Sequence, residues 1–107
     1  MSQNEKIRAL YVQPGKYPEV IKIPNTLESF QKYVGGDIGY VTLDREAVVI
    51  FNDEGKLIPL PPNRLYGPTD FFAGSFLVCG DGGEDLISLT DSQVKKYEKK
   101  YHSPLIF

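Results

Sequence analysis

Between Lys6 and Gln13 apolar side chains occupy both registers of a two-residue period: Ile7, Ala9 and Tyr11 in one, Leu10 and Val12 in the other, with Arg8 as the polar exception. A strand with two apolar faces is predicted to lie inside a sheet. Pro14-Gly15 ends it, because proline presets the first central position of a turn and glycine accepts positive φ at the next. The chain then returns through Val20 to Ile23 as an N-terminal hairpin. A short helix is predicted from Asn25, whose side chain would cap Glu28 in a capping box. Leu27, Phe30 and Val34 follow at i, i+3 and i+7 with Tyr33 alongside, and Gly35 stands where a left-handed cap is wanted.

From Ile38 to Phe51 β-branched and aromatic residues predict two strands around the polar Asp44-Arg45-Glu46. Asn52-Asp53-Glu54-Gly55 reads as a turn with Gly55 left-handed, leading to a short strand at Leu57-Ile58. Pro59, Pro61 and Pro62 remove backbone donors, so Pro59 to Thr69 cannot be a central strand and is the longest irregular segment. Phe71 to Gly74 leads into a strand over Ser75 to Cys79, closed by Gly80, Asp81, Gly82 and Gly83, with a short return at Leu86-Ile87. Thr90-Asp91-Ser92-Gln93 is a capping box, and Leu89 can staple onto Val94. Val94, Tyr97 and Tyr101 form the inward stripe of this last helix, while Lys95, Lys96, Lys99 and Lys100 occupy the remainder. Ser103-Pro104 stops it. The sum is a single α+β domain over residues 1–107: a twisted, mainly antiparallel sheet of about five or six strands, with two short helices expected on one face.

With 107 residues, 41% of them hydrophobic, one core is the expectation. A net charge of −2 argues against a general polycation for nucleic acid and against an acidic DNA mimic, so nucleic acid is not the expected partner. One cysteine, Cys79, cannot form an intramolecular disulfide, and no charged-then-apolar leader is apparent, so a cytoplasmic setting is expected. The longest apolar runs fall far short of the roughly 20 residues that span a bilayer. No membrane association is therefore expected.

The order of segments resembles a small uncharacterised family catalogued only as a domain of unknown function, whose members occur in bacteriophages, plasmids and conjugative elements. The matching stretches are Val12 to Lys16, Asn25-Thr26-Leu27 through Val34-Gly35-Gly36, Asn52 to Leu57, Leu60 to Arg64, Asp70 to Phe76, and Gly83-Glu84-Asp85 through Thr90-Asp91. The distinctive pieces are Pro61-Pro62-Asn63-Arg64 and Ala73-Gly74-Ser75-Phe76. The resemblance implies no activity that transfers residue by residue. It implies an accessory protein of mobile DNA working inside a bacterial host, a setting in which small proteins disarm a defence enzyme or sequester its signal.

Nucleophilic catalysis needs a thiol or hydroxyl beside a base, whereas His102 lies beyond a helix end and Cys79 inside an apolar strand. Those two residues cannot furnish a zinc site, and Asp81, Glu84 and Asp85 lack EF-hand spacing and fit a solvated turn. No metal, cofactor or enzymatic activity is expected. Gly80, Gly82 and Gly83 are not followed by the lysine-serine or lysine-threonine pair of a phosphate loop, and carboxylates crowd them. The four lysines of the last helix can meet anions or simply suit the helix dipole.

Asn63-Arg64 is the leading candidate: after a stiff proline run, a guanidinium and an amide can be presented together to a phosphate, carboxylate or base edge. Tyr66 and Tyr17 would supply a stacking surface for a ring. The competing interpretation is an ordered turn in which Arg64 pairs Asp70. Two functions follow as expectations. The first is non-enzymatic capture of a small anionic, nucleotide-derived host signal through Asn63, Arg64, Tyr66, Tyr17 and Asp70, with Arg64→Ala abolishing binding while sparing the fold. The second is protein–protein inhibition of a host nuclease or restriction system through a sheet edge. A homodimer through such an edge is compatible with either.

Overall fold

The structure, a computed structural model, describes residues 6–105. The expectation about an N-terminal leader falls partly on residues 1–5, outside the described residues. The chain runs β1 (Lys6–Val12), β2 (Glu19–Pro24), α1 (Leu27–Val34), β3 (Ile38–Asp44), β4 (Ala47–Asn52), β5 (Pro62–Tyr66), β6 (Asp70–Ala73), β7 (Phe76–Asp81), β8 (Leu86–Ile87) and α2 (Asp91–Lys100). It is an α+β fold. The main sheet has the order β2-β1-β7-β4-β3, with β8 also pairing β7, and every pairing is antiparallel. β5 and β6 form a separate two-stranded sheet.

β7 sits at the centre because Phe76 to Gly80 are all buried, and such a strand can satisfy its backbone only between two neighbours. Alternation along β1, β4 and β7 then divides the core. Leu10, Val12, Val49, Phe76 and Val78 pack with Tyr97 and Tyr101 of α2, and Ile7, Ala9, Ile50, Leu77 and Cys79 pack with Phe30 and Val34 of α1. The two helices therefore cover opposite faces of the sheet, which corrects their expected placement on one face. The two apolar registers of β1 already required a cover on each side.

The first hairpin turns as expected: the Lys16 N–H donates to the Gln13 carbonyl at 3.2 Å and Gly15 has φ 74°. α1 ends as expected on Gly35, at φ 83°. Its start moves by one residue. Thr26, not Asn25, is the N-cap and accepts from Ser29 N, so Glu28 falls out of the capping-box position. Asn25 instead donates to the Leu86 carbonyl and to Asp85, tying the helix entrance to β8. Leu27 is exposed, so the inward stripe of α1 consists of Phe30 and Val34. In α2 the Thr90–Gln93 capping box is complete in both directions.

The expected strand at Leu57-Ile58 is absent. Both N–H groups donate to the Glu54 carbonyl in a compact turn, and Leu57 stays 82% exposed, since no strand lies alongside to bury it. Gly55 is not left-handed; it is required by a close approach, because a Cβ there would stand 2.7 Å from the Ala73 carbonyl oxygen. Pro59 to Thr69 contains β5, so it is less irregular than expected, although the prolines do keep it out of the main sheet.

Candidate functional site

β5 is bulged: Pro62 pairs Ala73 and Arg64 pairs Phe72, leaving Asn63 as the extra residue. A bulge lets consecutive side chains turn the same way, and here both Asn63 and Arg64 point inward. Asn63 is fully buried and spends both amide hydrogens, on the Val12 and Gly74 carbonyls at 2.9 Å each. Its Oδ1 accepts from Arg64 Nη1 at 2.8 Å.

Arg64 is only 3% exposed. Its Nε donates to the Tyr101 carbonyl at 2.9 Å, Nη2 to the Lys16 carbonyl at 2.6 Å, and Nη1 also to the Asn63 carbonyl. Tyr101 is the C-cap of α2, so the guanidinium sits at the negative end of that helix and satisfies one of its unpaired carbonyls. No carboxylate among the described residues pairs with it. Burial lowers its pKa from the ordinary value, yet a guanidinium stays charged at any physiological pH. Asp70 pairs with Lys56 instead of Arg64, which overturns the expected Arg64–Asp70 contact. That ion pair, helped by the Phe71 N–H, holds the Asp70 carboxyl below its usual range.

The candidate residues thus separate. Asn63 and Arg64 knit β5, the first turn and the end of α2 together. Tyr66 is 39% exposed, stacked on Phe72 with ring centroids 5.0 Å apart. Tyr17 is elsewhere, 66% exposed and packed at a tilt against the His102 ring with centroids 4.9 Å apart, beside Lys99 and Glu98.

Tyr66 lines two cavities. One, of about 270 Å3, is mostly apolar, bounded by Val41, Phe51, Leu57 and Phe71, with Asp53 and the Lys56–Asp70 pair also lining it. The other, of about 430 Å3, lies between the β5–β6 hairpin, the end of β3 and α2, where Lys96 and Lys100 face Leu65 and Tyr66. A neighbouring recess of about 350 Å3 shares Leu65, Gly67, Lys100 and Tyr101 with it and includes Arg64 in its wall. Arg64, Lys96 and Lys100 therefore surround this region, against the single carboxylate of Asp44. Lys96 and Lys100 are one helical turn apart on α2 and project to the same side. The contribution of that helix was legible as a row of lysines; its apposition to Tyr66 was not.

Asp44 accepts from Lys96 Nζ at 2.8 Å, from the Tyr97 hydroxyl and from the Glu46 N–H. Those donors, Lys96 first, hold its carboxyl far below the usual range. Burial, reinforced by Asp44, raises the Tyr97 phenol, and burial pushes Tyr101 up to about 12. The stability that the ionised Asp44 contributes is complete above its unfolded pKa of about 3.9 and is lost as pH falls below that value toward the depressed folded one. The difference in Tm between the wild type and Asp44→Asn should accordingly shrink as pH is lowered from 6 to about 2. A constant difference over that range would exclude the ionised contacts as its source. Cys79 is buried on the α1 face of the sheet, with its thiol pushed up to about 12 by desolvation. It is the small buried hydrophobe that its apolar strand implied.

The family model described as a domain of unknown function (DUF3846) matches residues 7–102, and the chain belongs to that family. No curated protein and no solved structure matches it significantly. Among the described residues, no helix is long and apolar enough to cross a membrane.

Proposed function

We propose that this protein is a non-enzymatic binding protein that captures a small anionic, nucleotide-derived molecule in the cleft between α2 and the β5–β6 hairpin. The observation that carries this reading is the placement of Lys96 and Lys100 opposite the half-exposed Tyr66, with the Arg64 guanidinium in the adjoining wall. Lysines pair phosphate oxygens, and a tyrosine face accepts a base without regard to its identity. A volume of about 430 Å3 lies in the range of small-ligand pockets. Asn63 and Tyr17 leave the ligand set, Arg64 acts through its charge and as the support of the hairpin, and Asp70 belongs to the apolar cavity beyond Tyr66.

Capture without turnover is supported by the groups nearest the cleft. Asp44 is held well below neutrality and Tyr97 well above it, so neither exchanges a proton readily near pH 7. The biological role that fits such capture is that of a phage or mobile-element accessory protein, removing a defence signal in the cytoplasm of a bacterial host.

The test is incubation with a mixed panel of linear and cyclic nucleotides, removal of unbound material, heat denaturation and mass spectrometry of what is released. One enriched, chemically unchanged compound is the expected result. A changed compound would mean catalysis. No enrichment, with a known nucleotide binder behaving normally in parallel, would overturn the capture reading in favour of inhibition of a host nuclease or restriction enzyme by direct contact.

A further inference from the structure

We infer that the protein forms a two-fold homodimer by antiparallel pairing of β3 with β3 of a second copy. β3 and β2 are the two edges of the main sheet, and they differ in how they meet solvent. β2 is flanked by Pro18, ends on Pro24 and carries Glu19 and Lys22, the residue types that discourage edge pairing. β3, with the sequence Ile-Gly-Tyr-Val-Thr-Leu-Asp, has no proline or lysine, and its only charge is at the last position.

The hydrogen-bond pattern identifies which backbone groups are free. Asp53 N donates to the Asp37 carbonyl directly opposite it, so residues 39 and 41 also face β4 while Ile38, Tyr40 and Thr42 turn their N–H and C=O groups outward. Among the described residues nothing bonds to those outward groups. Tyr40, in the middle, is 61% exposed, and tyrosine is enriched in protein interfaces.

The strand is self-complementary. A two-fold axis at Tyr40 sets Tyr40 against Tyr40 and each Ile38 against a Thr42, so every outward backbone group meets a counterpart in a hydrogen-bonded pair. Side chains that oppose one another are then aromatic with aromatic and β-branched with β-branched. Beyond Thr42 a bulge at Leu43 brings Asp44 to the level of Asp37 of the second copy, where the ion pair with Lys96 offsets the Asp44 charge. An unrelated extended segment could use the backbone groups, but it would not reproduce this matching. The inference is independent of what the α2 cleft binds.

Sedimentation equilibrium over a concentration series should show a mass rising from 12.0 kDa toward twice that value. Tyr40→Pro removes an outward N–H while leaving the bonds to β4 intact, and Gly39 before it tolerates the restriction that proline imposes. This variant should stay monomeric at every concentration with an unchanged circular dichroism spectrum. Tyr40→Lys places like charges across the axis and should also be monomeric, which decides the matter should the proline variant fail to fold. A wild-type protein that remains monomeric throughout, or Tyr40→Lys dimerising as the wild type does, would overturn the inference.

Discussion

Arg64→Ala should destabilise the protein by at least about 3 kcal/mol, a large part of the roughly 5–15 kcal/mol that holds a domain of this size together. The guanidinium bonds the carbonyls of Tyr101, Lys16 and Asn63 and the Asn63 side chain. Truncation leaves these acceptors in a site from which water is nearly excluded, at about 1–3 kcal/mol for each that stays unpaired. It also removes the positive charge from the C-terminal end of α2. The midpoint of thermal unfolding should fall by more than about 10 °C. Arg64→Lys should recover less than half of the loss, because one ammonium cannot reach acceptors spread around a planar fork. A midpoint for Arg64→Ala within about 2 °C of the wild type would contradict this role. The expectation drawn from the sequence, that Arg64→Ala spares the fold, is thereby reversed, and ligand loss in that variant would not by itself identify a binding residue.

Lys96→Gln combined with Lys100→Gln is the informative change for binding. Whichever nucleotide the panel retains should bind this double variant at least about 100-fold more weakly, since two charge-assisted contacts are lost at about 1.5 kcal/mol or more each. Neither lysine is buried, so stability should change little, and glutamine can still donate to Asp44. Lys95→Gln with Lys99→Gln removes the same charge from the same helix but not from this cleft, and should leave affinity within about threefold. Equal losses from the two pairs would indicate a general field of α2, not a site. Isothermal titration at two salt concentrations separates these outcomes, and wild-type affinity should weaken as salt rises.

The sheet strands, both helices and the stops between them were legible because each rests on local chemistry: alternation, the Thr90 capping box, Pro14-Gly15 and Gly35. The failures are equally specific. Leu57-Ile58 has a strand composition, but pairing depends on a neighbour, and the neighbour is absent. Asn25 and Thr26 are both competent caps, and the bonds that Asn25 makes to Asp85 and Leu86, some sixty residues away, settle which one is used. The importance of Asn63 and Arg64 was visible as an unusual polar pair in a proline-rich stretch. Their direction was not, because it follows from a single bulge in β5 that turns both inward.

By itself the sequence determined the class of fold, the internal position of β1, the burial of Cys79 and the lysine-rich face of α2, since each depends on residues adjacent in the chain or one helical turn apart. Tertiary structure alone decided that the helices lie on opposite faces, that Lys56 takes Asp70, that Arg64 ends up against the Tyr101 carbonyl at the end of α2, and that Lys96 and Lys100 line one cleft with Tyr66. Those contacts join residues about 14 to 37 positions apart. Their partners are chosen by how the β5–β6 hairpin packs on the sheet, which no local pattern of apolar and polar residues encodes.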